Sequence, residues 1–262
     1  MPPDNDSAVE LHFPMSVETF LKHAETLLMR SDVILSRSPT VSSWLIRIAT
    51  GGFYSHAALI FLVPKPEEGF DNSFVLESIS SGVGLANLRD YIDRKRGHSD
   101  IVILRLEAPW FNDELRSQVR GLMLDHVKAG YDYGKVFRLG LSFLFGLQLG
   151  ISRVAKGKRR SMEDAVRRTR KRRSHGVPPQ FICSGFVQYG FAEAARRNRL
   201  PVRDALFKAG LDPNDWQQIL TVTPEDIATS DKLDWLYAIT RGKVYRATTY
   251  AEAKAIISRA KR

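Results

Sequence analysis

The alternation of apolar and polar positions predicts a set of short strands separated by helices. The most apolar strand is predicted at 56–63 (HAALIFLV), and a second follows at 74–80 (FVLESIS) after a polar loop. Further strands are predicted at 32–36 (DVILS), at 99–107 (SDIVILRLE) and in the KVYRAT segment near the C-terminus. The strands at 56–63 and 74–80 are typical of an antiparallel hairpin with a long connection.

Helical periodicity and capping residues mark most of the remaining chain. Glycines or polar caps bound the predicted helices, which begin at Ser16, Val41, Asn112 or Asp113, Ser184, Thr223 and Tyr250. Strands and helices in this mixture predict an α+β class, with a small antiparallel sheet packed with helices.

The length and composition bound the domain organisation. A chain of 262 residues with 44% hydrophobic content can bury a large core in one domain. We expect residues 1–14 to be a flexible leader and residues 15–262 to form a single domain. One cysteine excludes an internal disulfide and any four-cysteine metal site, and neither a metal nor a cofactor is expected.

No secretory or membrane-spanning signal is visible in the sequence. The first residues are acidic and proline-rich, and the longest apolar stretch, 136–151, contains Arg138, Gln148 and three glycines. The expected location is cytoplasmic or at the surface of a membrane. Delivery by a non-classical route stays open.

The net charge of +10 is concentrated in one segment. Residues 152–174 contain eleven Lys or Arg against Glu163 and Asp164, which predicts a basic insertion at about 152–179. The apolar stretch 136–151 followed by this segment suits an anionic membrane surface. The alternative is that 136–151 belongs to the core and the basic segment is a solvated charged loop. Nucleic acid is an unlikely partner, because residues 152–174 contain no aromatic side chain on which bases would stack.

The only cysteine lies where a helix is predicted to begin, in the stretch FICSGF. Backbone N–H groups and the helix dipole at such a position favour the thiolate, which is the nucleophilic form. Cys183 is therefore a candidate nucleophile, provided that a base lies within hydrogen-bond reach.

His56 is the candidate base among six histidines, because it stands at the mouth of the most apolar strand. Glu77 lies inside the neighbouring strand, and antiparallel pairing would bring it near His56. Its carboxylate would accept the Nδ1–H of the ring and orient it. Two structural alternatives stay open: His56 bonded to a backbone carbonyl, and Glu77 facing water on an edge strand.

Five blocks of sequence resemble one protein family. These blocks, read in chain order, are DVILSRS, GGFYSHAALIF, FVLESISSGV, FICSGFVQYGF and TVTPEDIATS. Together they resemble a circularly permuted NlpC-type papain-like fold of the YiiX/YebB-like group, related to the lecithin:retinol acyltransferase-like enzymes. The resemblance covers roughly 32–236, without 135–175. It implies that Cys183 is the nucleophile, His56 the general base and Glu77 the orienting residue.

The predicted function is a cysteine-dependent hydrolase or acyltransferase that cleaves an amide or ester through a thioester. The substrate is either a membrane-proximal acyl lipid or a cell-wall peptide. Tyr54 and Ser184 are further candidates for substrate or oxyanion contacts, although Tyr54 equally fits a packing role. The alternative function is a non-catalytic membrane- or nucleic-acid-binding module that uses the basic insertion. The sequence does not predict an oligomeric state.

Overall fold

An antiparallel sheet of eight strands forms the centre of the structure. The computed structural model describes residues 11–64, 72–79, 82–92, 100–125 and 182–260. The strands are β1 (Met15–Ser16), β2 (Val33–Arg37), β3 (His56–Leu62), β4 (Phe74–Ile79), β5 (Gly82–Asn87), β6 (Asp100–Leu106), β7 (Leu233–Thr240) and β8 (Lys243–Arg246). Their order across the sheet is β1-β8-β7-β6-β2-β3-β4-β5.

Helices cover both faces of this sheet. The α-helices are α1 (Val17–Lys22), α2 (Ala24–Leu27), α3 (Val41–Thr50), α4 (Leu88–Ile92), α5 (Asp113–Leu124), α6 (Cys183–Arg197), α7 (Trp216–Ile219), α8 (Pro224–Ala228) and α9 (Tyr250–Arg259), and a 3-10 turn spans Val202–Ala205. The predicted α+β class is confirmed, and the arrangement is consistent with a papain-like fold. No helix within the described ranges is long and apolar enough to cross a membrane.

The pairing of β3 with β4 is antiparallel, as the sequence predicts, with Ala58 opposite Glu77. Two strands, β5 and β7, were not predicted from the sequence. Strand β5 (GVGLAN) contains two glycines and has little apolar alternation. Strand β7 (LDWLYAIT) is buried along most of its length, so it shows no regular period of two.

Successive residues of β2 and β3 pack into two separate cores. Leu35, Ala57 and Leu59 belong to the core that includes residues of α5, α6 and α9. Ile34 and Ala58 belong to the core on the other face, which includes residues of α1, α2 and α4. Because side chains alternate between the faces of a strand, both faces of the central strands are apolar. This sheet is a rigid support for residues at the strand ends.

A buried ion pair ties β2 to β6 beside the strand that carries His56. Nε and Nη2 of Arg105 each lie 2.7 Å from a carboxylate oxygen of Asp32. The Asp32 carboxylate also accepts the backbone N–H of Met29. This bidentate geometry fixes the start of β2.

The N-terminal boundary differs from the predicted one. Phe13 stacks on Tyr237 with ring centroids 5.7 Å apart, and Leu11 packs against the same core. The chain thus joins the fold by residue 11, whereas a leader was predicted up to residue 14. The apolar stretch 136–151 and the basic insertion 152–179 lie outside the described residues.

Candidate active site

Cys183 is the first residue of α6, and this helix begins without a side-chain cap. Its N-cap residue, Ile182, makes no side-chain hydrogen bond to the first turn. Other helices of the structure begin at residues whose side-chain oxygens accept such a bond, among them Ser16, Thr40, Asn112, Asp215, Thr223 and Thr249. The N–H groups in the first turn of α6 therefore have no side-chain acceptor from the N-cap residue.

The first turn of α6 is held by close contact with another part of the chain. The hydroxyl of Ser184 donates to the carbonyl oxygen of Val222 at 2.6 Å. Gly185 lies against Leu220 so tightly that a Cβ there would overlap the Leu220 carbonyl oxygen and lie 2.9 Å from its carbonyl carbon. These contacts fix the position of the cysteine.

His56 is the first residue of β3, and Glu77 lies on β4 beside it. Since Ala58 pairs with Glu77, the two side chains are diagonal neighbours on one face of the sheet. Nε2 of His56 lies 2.8 Å from Oε2 of Glu77. The carboxylate is buried, and β4 lies between β3 and β5. Glu77 is therefore not a water-facing residue of an edge strand.

The ring of His56 has the opposite orientation to the predicted one. Glu77 was expected to accept the Nδ1–H, whereas in the structure it faces Nε2. The thiol of Cys183 is also hydrogen-bonded to the ring. Because Nε2 is engaged by the carboxylate, we infer that the thiol bonds to Nδ1. The imidazole therefore links the sulfur to the carboxylate.

Tyr91 on α4 is a site residue that the sequence reading missed. Its hydroxyl donates a short hydrogen bond to Oε2 of Glu77 and lies 3.2 Å from Nε2 of His56. The side chain is fully buried. In the sequence, LRDYI is indistinguishable from any short helix with an apolar face, so no local signal marks this tyrosine. Its hydroxyl thus holds the Glu77 carboxylate beside the His56 ring.

The electrostatics of the site favour a charged pair. Burial opposes ionisation of the thiol, but the charge of His56 and its hydrogen bond hold the pKa of Cys183 below the usual value for a thiol. The backbone N–H groups of Ala57 and Ser184 also hydrogen-bond the sulfur. Burial likewise opposes protonation of the imidazole, yet Cys183 and Glu77 hold the pKa of His56 well above its ordinary value. These shifts favour a thiolate beside an imidazolium.

The two weaker candidates from the sequence have different positions. Tyr54 is fully buried in an aromatic cluster with Phe53, Trp235 and Tyr250, where burial raises the pKa of its hydroxyl. This position fits the packing role. Ser184 has its hydroxyl engaged by a carbonyl oxygen, but its backbone N–H faces the sulfur.

Access to the site is limited. The side chain of His56 is 21% exposed, and Cys183 is 5% exposed. Solvent therefore reaches the imidazole of His56 more readily than the sulfur of Cys183. Within the ranges that the structure describes, no group of three or more His, Cys, Asp or Glu residues is arranged to hold a metal ion.

Comparisons with known proteins give likenesses among solved structures only. No family matches the sequence, and no curated protein matches it. Among solved structures, the chain is similar to that of the metalloprotein YiiX from Escherichia coli O157:H7. The TM-score is 0.39 and the identity 14%, covering 80% of this chain and 97% of that chain. This neighbour bears the name of the YiiX-like group that the sequence resembles, and the permuted NlpC relationship stays a prediction.

Proposed function

We propose that the protein is a cysteine hydrolase or acyltransferase that acts on an amide or ester. The observation that supports this most is the chain of contacts from the Cys183 thiol through His56 to Glu77. A nucleophile, a base and a residue that orients the base are the parts that thiol catalysis requires. Tyr91 adds a second contact to the orienting carboxylate.

The proposed reaction proceeds through a thioester. The thiolate of Cys183 attacks the carbonyl carbon, and the carbonyl π electrons move to oxygen. Backbone N–H groups of the first turn of α6 stabilise this oxyanion. As the tetrahedral intermediate collapses, the bond to the leaving group breaks, and the imidazolium of His56 gives that group its proton. His56 then takes a proton from water, or from an acceptor hydroxyl or amine. The resulting nucleophile attacks the thioester, the acyl product leaves, and the thiolate is restored.

The covalent intermediate supplies the first test. On incubation with p-nitrophenyl butyrate, we expect intact-mass spectra to show one butyryl group on the protein. Hydroxylamine should remove this group, as it does a thioester. The adduct should be absent in Cys183→Ala and formed more slowly in His56→Gln.

An adduct of equal yield in Cys183→Ala would overturn the proposal, because the ester would then acylate another nucleophile. A complete lack of adduct in the folded wild-type protein would favour the rival function, a non-catalytic membrane- or nucleic-acid-binding module that uses the insertion at 152–179.

A membrane-proximal acyl substrate is favoured over a cell-wall peptide by the surface of α3. Val41, Trp44 and Leu45 are 73%, 52% and 47% exposed, and their spacing places them on one side of the helix. The helix ends at Gly51, five residues before His56. Exposed apolar groups of this kind enter the lipid interface readily. The substrate would then be delivered from the membrane surface.

Replacing Val41, Trp44 and Leu45 together with serine should weaken binding to vesicles of phosphatidylcholine and phosphatidylglycerol by about tenfold or more, because apolar area is no longer buried in lipid. Vesicle sedimentation measures this change. Leu85→Ser on β5 is the matched control, since Leu85 is 50% exposed. Equal binding by the triple variant and the wild type would exclude α3 as a membrane contact.

A further inference from the structure

One short segment contacts both halves of the candidate site. On the side of the nucleophile, the carbonyl groups of Leu220 and Val222 contact Gly185 and Ser184 in the first turn of α6. The chain then enters α8 at Pro224. The residues from Leu220 to Glu225 are called the bridge segment below.

On the side of the base, the bridge segment ends at Glu225. Oε2 of this residue accepts the backbone N–H of Phe53 at 2.7 Å, and Oε1 accepts the hydroxyl of Tyr250 at 2.7 Å. Gly52 also lies directly on Glu225, because a Cβ there would lie 2.9 Å from both Cβ and Oε2 of the glutamate. The loop that leads into His56 is therefore fixed to the same segment that holds the cysteine.

The sequence of this loop does little to restrict its backbone conformation, so contacts from other elements matter for its position. Gly51 adopts a left-handed conformation with φ of 64°, and Gly52 follows it, so the backbone before His56 has few intrinsic constraints. The loop is also anchored at Ser55, whose N–H and hydroxyl both donate to the carbonyl oxygen of Ser36 and whose hydroxyl oxygen lies 2.6 Å from that of Ser43. Glu225 holds the loop two residues earlier, at Phe53.

The surroundings of Glu225 keep the carboxylate bonded in this position. Burial and the neighbouring carboxylate raise the pKa of Tyr250, so its hydroxyl stays a donor. Two cations contact the Phe53 ring, with Cζ of Arg37 at 4.3 Å and Nζ of Lys254 at 5.5 Å from its centroid. Charge, hydrogen bonding and packing thus converge on one end of the bridge segment.

We propose that the bridge segment sets the distance between thiol and imidazole, with Glu225 as the positioning residue for His56. This inference rests on the proposed function, since it assigns a role within the same site. Glu225 touches neither the sulfur nor the imidazole in these contacts. It acts through the backbone of Phe53, three residues before the base.

The test is the pH dependence of Cys183 alkylation by iodoacetamide in the full-length protein. Glu225→Ala should slow labelling at about pH 7 by about tenfold, because a displaced imidazole no longer stabilises the thiolate. Glu225→Gln should restore most of the rate, since its amide oxygen still accepts the Phe53 N–H and its NH₂ group bonds to Tyr250. Tyr250→Phe, which removes one of the two bonds, should have an intermediate effect.

Glu252→Ala is the matched control. Glu252 also accepts a backbone N–H and a hydroxyl, both from Thr248, but does not contact the loop before His56. Its labelling rate should stay within about twofold of the wild type. The inference is overturned if folded Glu225→Ala labels at the wild-type rate, or if Glu252→Ala slows labelling equally. If Glu225→Ala does not fold, a wild-type rate in Tyr250→Phe overturns it. An ordinary thiol pKa in the wild type removes the proposed function and this inference together.

Discussion

Replacing His56 with alanine is expected to slow alkylation of Cys183 at about pH 7 by at least about tenfold, since each unit of thiol pKa changes the thiolate fraction about tenfold. In the wild type, the charge of His56 holds the pKa of the thiol below its usual value. Without that charge, burial of Cys183 raises the pKa instead. The measurement is the rate of iodoacetamide labelling against pH, and the single cysteine makes the site of labelling unambiguous.

The direction of the pH dependence follows from the lowered pKa. Wild-type labelling should stay fast as the pH falls below about 8.5, the pKa of a free thiol. It should decline only when the pH falls through the lowered pKa of Cys183. In His56→Ala the decline should begin at higher pH. His23→Ala is the control, because Nδ1 of His23 bonds to the carbonyl oxygen of Thr19 in α1, away from Cys183. Identical profiles for the wild type and His56→Ala would mean that FICSGF has a packing role.

Gly185→Ala should lower the free energy of unfolding by about 1–3 kcal/mol, the usual cost of an added methyl group in a packed interior. The new methyl group would meet the backbone carbonyl of Leu220, which cannot rotate away as a side chain can. Urea denaturation followed by circular dichroism measures the change. The same substitution should slow labelling of Cys183, because the first turn of α6 must shift.

Gly121→Ala in α5 is a matched substitution that is expected to raise the free energy of unfolding, whereas Gly185→Ala lowers it. Gly121 is exposed, and a Cβ at this position has no atom within 4 Å. Alanine should therefore stabilise the protein by about 0.5–1 kcal/mol through its higher helix propensity. If both substitutions had the same effect, contact with Leu220 would not be the reason for glycine at 185.

The convergence of Cys183, His56 and Glu77 could be predicted because each depends on local pattern. A strand of continuous apolar residues begins at His56, and its partner strand contains one carboxylate, Glu77. Antiparallel pairing then limits Glu77 to a few positions, and the observed register lies within that range. The prediction that Cys183 lies at the start of a helix depends only on locating the first residue of that helix correctly. The catalytic roles of these residues stay predictions.

The remaining features of the site depend on contacts between distant elements. Tyr91 reaches Glu77 only because α4 folds against the sheet, and no pattern within α4 indicates this. The choice of Nε2 rather than Nδ1 depends on which side of the ring α6 approaches. The two bonds of Glu225 join α8 to α9 and to the loop before β3. Such features follow from tertiary packing, which residue spacing alone does not determine.

The missing side-chain cap of α6 has a consequence for the proposed reaction. In the free protein, the sulfur of Cys183 accepts the backbone N–H of Ser184. The cysteine side chain thus caps the helix that it begins. Once the sulfur is acylated its negative charge is gone, and the oxygen of the bound acyl group becomes the better acceptor. Under the proposed function, the acyl group on the sulfur would then accept the N–H groups at the start of α6, and the first turn of the helix should be most stable in the acylated state.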